Sequence, residues 1–427
     1  MRKLYFLAFL IAIVVDFCFA YSPMQNSVQN SVQNSEQNFG QHSGQRLALD
    51  SEQSSTQNLV QNSTQSLPQN SAQSPAQNSS PQNSMQSGSI ANSGRIAFWN
   101  VENFFDCIDD TLKNDNEFTP FGTRAWGRKK YDAKCASLYK IIAALNAEQA
   151  LIACGLSEIE NARVLRDLCL GTPLRFLNFG FVHYDSPDPR GIDVALLYRK
   201  DLFRVLASRA VPLVYSGDNV SHTRDILYVK GITAPRYCRL DPQSPDTVYD
   251  TLHLFVCHFP SKFGGALETE NKRYQAGRLL RFCIDTLLYA HPQAQIIAMG
   301  DFNGEPTEKP LQDGIGYGID APIVNLMLPF VGKKGSHKYH EKWSIIDHII
   351  VTDNLKLRII PADKAHIFDR PFLLMPDKNY MGQKVFRTFN GPKYLGGYSD
   401  HLPVYIDLQF YQSQQSINNK KTSTPTH

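Results

Sequence analysis

Short stretches of this chain place acids, amides and histidines where apolar runs stop. "MGDFNGEP" sets Asp301 and Asn303 directly after Ile296, Ile297 and Ala298. "SIIDHIIV" holds Asp347 and His348 inside an apolar run, and "GGYSDHLPV" brings Asp400 and His401 together. "FWNVENFFD" contributes Asn100 and Glu102, "GLSEIEN" Glu158, and "VCHFPSKFGG" His258. Carboxylates and amide oxygens are the ligands that magnesium, manganese and calcium prefer, and one or two carboxylates leave room for water and a substrate phosphate. Such an ion polarises a phosphoryl oxygen and lowers the pKa of bound water. Histidines donate hydrogen bonds to charge that develops in a transition state, and a carboxylate facing a histidine fixes its tautomer. Phosphoryl transfer needs this equipment and little more: positioning, charge neutralisation and a general acid or base.

Taken singly, each piece has an ordinary explanation. Asp, Asn, Gly and Pro are what tight turns select, so Asp301 and Asn303 read as a strand stopping, and Ser399-Asp400-His401 as a turn or cap. Glu158 and Glu160 read as acids at a helix start, and His258 as a satisfied core histidine. Asp347 resists this treatment, because a buried carboxylate without a partner is costly. The joint arrangement is harder to obtain by accident than any member of it.

The elements that must position these residues are mostly strands. "RIAFWN", "ALIACGLSEIE", "GIDVALLYR", "TLHLFVCHF", "AQIIAMGDF", "WSIIDHIIVT" and "HLPVYIDLQF" have strand length and enough apolar residues for a core. Leu138, Ile141, Ile142 and Leu145 recur at helical spacing, as do Ala276, Leu279, Leu280, Cys283 and Leu287. Many strands with few helices, not strictly alternating, predict an α/β sandwich of two packed sheets with helices outside. Strands ending at one edge of such a sandwich gather residues that are distant in sequence. No GxGxxG or GxxxxGK[ST] occurs, so no nucleotide cofactor is expected.

The rest of the 427 residues divides by composition. Arg2 and Lys3, an apolar run from Leu4 to Val15, and Cys18-Phe19-Ala20 have the anatomy of a secretory leader over 1–20, and predict an exported protein, periplasmic or secreted. Residues 21–93 are dominated by Gln, Asn and Ser in loose four-residue repeats, a disordered linker that cannot bury enough surface to fold. Residues 94–411 form the body, and 412–427 a flexible tail. A net charge of +3 does not by itself argue for nucleic acid. Of eight cysteines, seven remain after the leader, with no CxxC, which disfavours a zinc cluster and leaves room for one or two bridges.

The ordered motifs, from "FWNVENFFD" through "GLSEIEN", "RGIDVALLYR", "VCHFPSKFGG", "MGDFNGEP" and "SIIDHIIV" to "GGYSDHLPV", resemble those of the endonuclease/exonuclease/phosphatase superfamily over essentially the whole body. The resemblance implies a four-layered α/β sandwich, two packed mixed β-sheets flanked by helices, and a divalent-metal phosphoesterase using Mg2+, with Mn2+ or Ca2+ as alternatives. It implies Asn100, Glu158 and Asp400 as the metal shell, with Glu102 behind them. Asp301 would position or deprotonate water, Asn303 contact the scissile phosphate, His401 bind that phosphate under the orientation of Asp347, and His258 act as general acid or phosphate contact. Asp193 is expected to orient His258. Together with export, this predicts a nucleic-acid substrate; the alternatives are a phospholipid headgroup, which apolar "PFLLMP" keeps open, a phosphomonoester, and, with no catalysis, an inactive binding module. Lys262, Arg273 and the group Arg128, Lys129 and Lys130 are candidate contacts for a phosphate backbone. Nothing in the sequence sets an oligomeric state.

Overall fold

A computed structural model describes residues 93–215, 223–233, 250–318, 321–361 and 364–410. The expected leader, the tail and all of the linker but residue 93 lie outside the described residues. The body opens with β1 (Ser93–Phe104), crosses through α1 (Arg128–Glu148) and returns as β2 (Leu151–Ile159), parallel to β1. After α2 (Ala162–Gly171), β3 (Phe179–His183) and β4 (Asp193–Arg199) extend that sheet antiparallel.

A second sheet begins with the antiparallel run β5 (Phe203–Val211), β6 (Ile226–Thr233) and β7 (Asp250–His258). Helix α3 (Glu270–Ala290) then carries the chain to β8 (Gln295–Asp301), parallel to β7. β9 (Ile323–Asn325) and a hairpin of β10 (His337–Tyr339) and β11 (Lys342–Ser344) follow. β12 (Asp347–Thr352) lies antiparallel between β8 and β9. The chain then returns to the first sheet through β13 (Ile359–Ile360) and β14 (His366–Ile367). Two small hairpins come next, β15 (Leu374–Pro376) with β16 (Gln383–Val385) and β17 (Phe389–Asn390) with β18 (Lys393–Tyr394). The last strand, β19 (Val404–Gln409), pairs antiparallel with β1. The strand orders are β13-β19-β1-β2-β4-β3, with β14 also on β19, and β5-β6-β7-β8-β12-β9.

The sheets face each other, β1 against β8 and β12, and β2 against β7 and β8. Alternation along a strand decides which residues enter that interface: Leu252, Leu254 and Val256 of β7, Ile297 and Met299 of β8, and Ile349 and Val351 of β12 share one core with Ile96, Phe98 and Ala153. Cys257, the residue after Val256, lies instead beside Cys283 of α3. Gly155 permits the close approach, since a Cβ there would come within 3.1 Å of Phe98 Cδ2 and of Val256 Cγ1. The mixed α/β sandwich with outer helices is the expected architecture. The six described cysteines form no bridge among themselves. Among the described residues no helix is long and apolar enough to cross a membrane.

Candidate active site

Three adjacent strands of the second sheet end side by side: His258 of β7 is in register with Asp301 of β8, and Asp301 with Asp347 of β12. Because side chains alternate, Asp347 and its neighbour His348 point to opposite faces. His348 bonds Asn325 and the Gly304 carbonyl on the far side, whereas Asp347 Oδ2 receives His401 Nδ1 at 2.8 Å. The other face of that imidazole's work is Asp301, whose Oδ2 lies 3.8 Å from His401 Nε2 and 3.7 Å from His258 Nε2. Asp301 Oδ1 accepts the Asn303 amide at 2.9 Å, and Asn303 Nδ2 donates to the Phe259 carbonyl at 2.9 Å.

The first sheet supplies Asn100, Glu158 and the Asp400-His401 pair. Asn100 Nδ2 spans the sheets, donating to Asp301 Oδ2 at 3.0 Å and to Glu158 Oε1 at 3.3 Å. Glu158 Oε2 accepts the Asn103 amide at 2.8 Å. Ser399 earns its place as a brace: its hydroxyl donates to the Asn100 carbonyl at 2.7 Å and accepts the His401 amide at 3.0 Å, tying the loop before β19 to β1. Glu102, Glu158 and Asn303 all have left-handed backbone, with φ of 52°, 64° and 50°. Non-glycine residues in that region are strained, and such strain concentrates at functional sites.

Electrostatics separate the two imidazoles. Burial works against a charge on His401, but Asp347 and Asp301 outweigh it and hold His401 well above the ordinary imidazole range. Burial, followed by Arg224 and Arg190, pushes His258 well below that range. At neutral pH the first is an imidazolium and the second is neutral. Burial lifts the Asp301 carboxyl to about 7, against the pull of His401. Asp400 would also be raised by burial, yet Arg387 and His401 bring it down to about 2.

The expected site residues Asn100, Glu158, His258, Asp301, Asn303, Asp347, Asp400 and His401 therefore meet at one edge. Asp193 does not join them as expected. Its Oδ1 accepts the Ser186 amide at 2.9 Å and its Oδ2 faces His183 Nε2 at 3.0 Å, so its partner is His183 and not His258. The local reason is the loop between β3 and β4, which folds back onto the start of its own hairpin. His258 Nδ1 has no partner among the described residues. Of the candidate backbone contacts, Arg273 is interior, bonded to Thr269 and the Ala266 carbonyl, and Lys262 is paired with Glu308. Within "PFLLMP", Leu373 is fully buried and Leu374 and Met375 are half-buried, whereas Pro371, Phe372 and Pro376 are exposed, so only part of that stretch belongs to the core.

Three contributors escaped the sequence reading. Arg387 Nη2 pairs with Asp400 at 2.8 Å and its Nε with Glu102 at 3.3 Å. Lys134 Nζ donates to Thr388 Oγ1 and the Tyr398 carbonyl, both at 2.7 Å, and burial lowers it to about 8 beside Glu102 and Asp400. Its signal was readable, because residue 134 falls four before Leu138 and seven before Ile141, on the apolar face of α1. The His337 ring lies 4.8 Å from that of His401, tilted by 42°, and burial lowers its pKa to about 4.

The donor set fits a hard divalent cation. Glu158, Asp400 and the Asn100 amide oxygen are oxygen ligands, and among the described residues Glu158 has no ion-pair partner, only amide donors. Acidic and histidine groups that can hold a metal also meet at His337, Asp400 and His401, and at Asp301, Asp347 and His401.

No curated protein matches this chain. Among solved structures, an endonuclease/exonuclease/phosphatase family protein from Bacteroides thetaiotaomicron is 14% identical with a TM-score of 0.46, covering 75% of this chain and 98% of that one. A mannosyl-6-phosphatase from the same organism is 14% identical with a TM-score of 0.44, covering 74% and 100%. Danio rerio TDP2, solved with a single-strand DNA product, is 15% identical with a TM-score of 0.43, covering 74% and 99%. The model of the endonuclease/exonuclease/phosphatase family itself matches residues 95–410. The chain thus belongs to the endonuclease/exonuclease/phosphatase family, whose members are divalent-metal-dependent hydrolases of phosphoester bonds.

Proposed function

We propose that this protein is an exported phosphodiesterase, an endonuclease that hydrolyses nucleic-acid phosphodiester bonds by in-line attack of water, with Mg2+ as its ion. The observation that carries the reading is the row Asp347, His401 and Asp301: an imidazole held at 2.8 Å by one carboxylate, with a second carboxylate 3.8 Å from its other nitrogen. A carboxylate that titrates at about 7 is matched to taking a proton from water at neutral pH. Asn100 and the Asn303 amide hold that carboxylate in place, so it does not have to reorganise as the proton arrives. The His401 Nε2 proton is available to a phosphoryl oxygen as charge builds on it, and Asp347 keeps the ring charged while it donates. His258, being neutral, serves as a phosphate contact in preference to a general acid. When bound by Glu158, Asp400 and Asn100, the divalent ion would supply charge neutralisation at the phosphate.

Export is supported by the charged and apolar start of the chain, which has the pattern of a secretory leader. Export is compatible with nucleic acid outside the cell as the substrate, and also with lipid headgroups. The test is to assay the purified chain with magnesium, manganese or calcium against plasmid DNA, RNA, sphingomyelin and inositol phosphates. Nicking of closed plasmid that stops on chelation is the expected result. Hydrolysis of sphingomyelin with nucleic acids left intact would sink the nuclease reading.

A further inference from the structure

Beside His258 lies positive charge that the in-line mechanism leaves unused. Asp188 Oδ2 accepts from Arg224 Nη1 at 3.0 Å, and its Oδ1 stands 3.7 Å from Arg190 Nε. One carboxylate between two guanidiniums leaves one positive charge in surplus. Arg224 Nη2 donates at 2.8 Å to the Phe259 carbonyl, the same oxygen that receives Asn303 Nδ2, so this pair is fastened to the residue after His258 and to a member of the site. Both arginines are near enough to His258 to depress its basicity.

Arg224 is 6% exposed, and its Nε has no partner among the described residues. A buried donor without an acceptor is costly, which asks what acceptor the protein is built to receive. The Arg190 side chain is 49% exposed and opens the pair to solvent. The loop that presents it is pre-formed: Lys113 Nζ donates to the Ser186 and Asp188 carbonyls at 2.9 and 3.0 Å, and the Asn114 amide to the Pro189 carbonyl at 2.8 Å.

We propose that Arg190 and Arg224 form a subsite for a second phosphate group of the substrate, adjacent to the one that is hydrolysed. Guanidinium donors match phosphate oxygens in geometry as well as charge. The inference rests on the phosphoesterase reading and narrows it to esters that carry a further phosphate. That group is either the next phosphate along a nucleic-acid backbone or a second phosphate on a small molecule. Since the subsite stands outside the row that does the chemistry, filling it strengthens binding and leaves turnover alone.

With a chelator present to stop turnover, the full chain is titrated with thymidylyl-thymidine, with the same dinucleotide carrying a 5′- or 3′-terminal phosphate, and with fructose 6-phosphate and fructose 1,6-bisphosphate. A charged hydrogen-bond partner is worth about tenfold in affinity, so the second phosphate should tighten binding by about that factor. Arg190→Gln should erase the gain while leaving thymidylyl-thymidine within about twofold. With metal restored, the same variant should raise KM for the terminally phosphorylated dinucleotide and leave kcat unchanged. A gain confined to the dinucleotide identifies a backbone phosphate, and one confined to the sugar a small-molecule phosphate. Equal affinity for one-phosphate and two-phosphate compounds, or a gain that survives Arg190→Gln, overturns the subsite. A binding gain without hydrolysis of any phosphodiester would instead remove the nuclease reading and leave the subsite standing.

Discussion

The two sheets are built on one plan and deliver different chemistry. Each has a parallel pair, β1 with β2 and β7 with β8, joined through a helix of 21 residues and flanked by antiparallel strands. The first sheet sends Asn100, Glu158 and Asp400 to the edge, and backs its acids with fixed cations, Arg387 on Asp400 and on Glu102, with Lys134 behind them. The second sends His258, Asp301 and Asp347, with no Lys or Arg ion pair on either aspartate among the described residues. Asp400 of the first sheet is thus kept ionised and ready for a cation, while Asp301 of the second is left free to exchange a proton near neutrality. One architecture divides the labour by what surrounds its acids.

Metal concentration should separate the halves most widely. Glu158→Ala, in the first, is expected to cost about 10³-fold in kcat at low metal, since a divalent ion contributes several kcal/mol of charge stabilisation, and to regain part of that as metal is raised. His401→Ala, whose ring serves the second half, should cost about 10²- to 10³-fold at every metal concentration. Rate measured across a magnesium titration tells them apart, and parallel curves for the two variants would abolish the distinction.

A smaller effect sharpens the role of the buried pair. Asp347→Asn removes the charge that holds His401 above the ordinary imidazole range, and should lower kcat by about 10²-fold at neutral pH. Because His401 would then lose its proton closer to neutrality, the variant should also lose activity as pH rises through a range where the wild type does not. A uniform loss at all pH values would mean that Asp347 merely packs.

Asp301 predicts the shape of the acid limb. Its folded pKa of about 7 lies above the unfolded carboxylate value, so it is protonated and idle as a base below that pH. The value of kcat/KM should fall about tenfold per pH unit below 7 and level off above it. The same raised pKa adds stability that is fully present below the unfolded carboxylate value of about 4 and is lost as pH rises through 7. In metal-free protein the thermal midpoint should accordingly decline between pH 5 and 8, as followed by circular dichroism.

Residues that sit at the ends of apolar strands could be read from the sequence, because a strand's length and the punctuation after it are local. His258, Asp301 and Asp347 are of this kind, and so is the sandwich itself, whereas Asn100 lies inside β1, which continues to Phe104. What escaped was set by distance along the chain. Arg387 reaches a glutamate 285 positions earlier, and Arg224 meets Asp188 across 36. Nothing in the neighbourhood of either arginine marks it. The left-handed backbone at Glu158 and Glu102 is equally silent, since neither residue type announces it. Asp193 failed for a further reason: the strand reading placed it at the correct edge but could not say which of two histidines, His183 or His258, its carboxylate would meet.

That misplacement gives the smallest predicted effect on turnover and the finest test of the division between the sheets. Asp193 begins β4 in the first sheet, and its carboxylate is consumed by Ser186 and His183. Asp193→Asn takes a charged acceptor away from buried donors, which should cost about 1–3 kcal/mol of stability, measurable by urea denaturation. The turnover of bis(p-nitrophenyl) phosphate, a diester with a single phosphate, should stay within about twofold of wild type. A change in KM for two-phosphate substrates is compatible with this, because Ser186 lies in the loop that carries Asp188 and Arg190. A fall in kcat on the single-phosphate diester as deep as that of Asp347→Asn, with a displaced pH profile, would instead mean that Asp193 acts through His258, and that the first sheet shares in the proton chemistry assigned to the second.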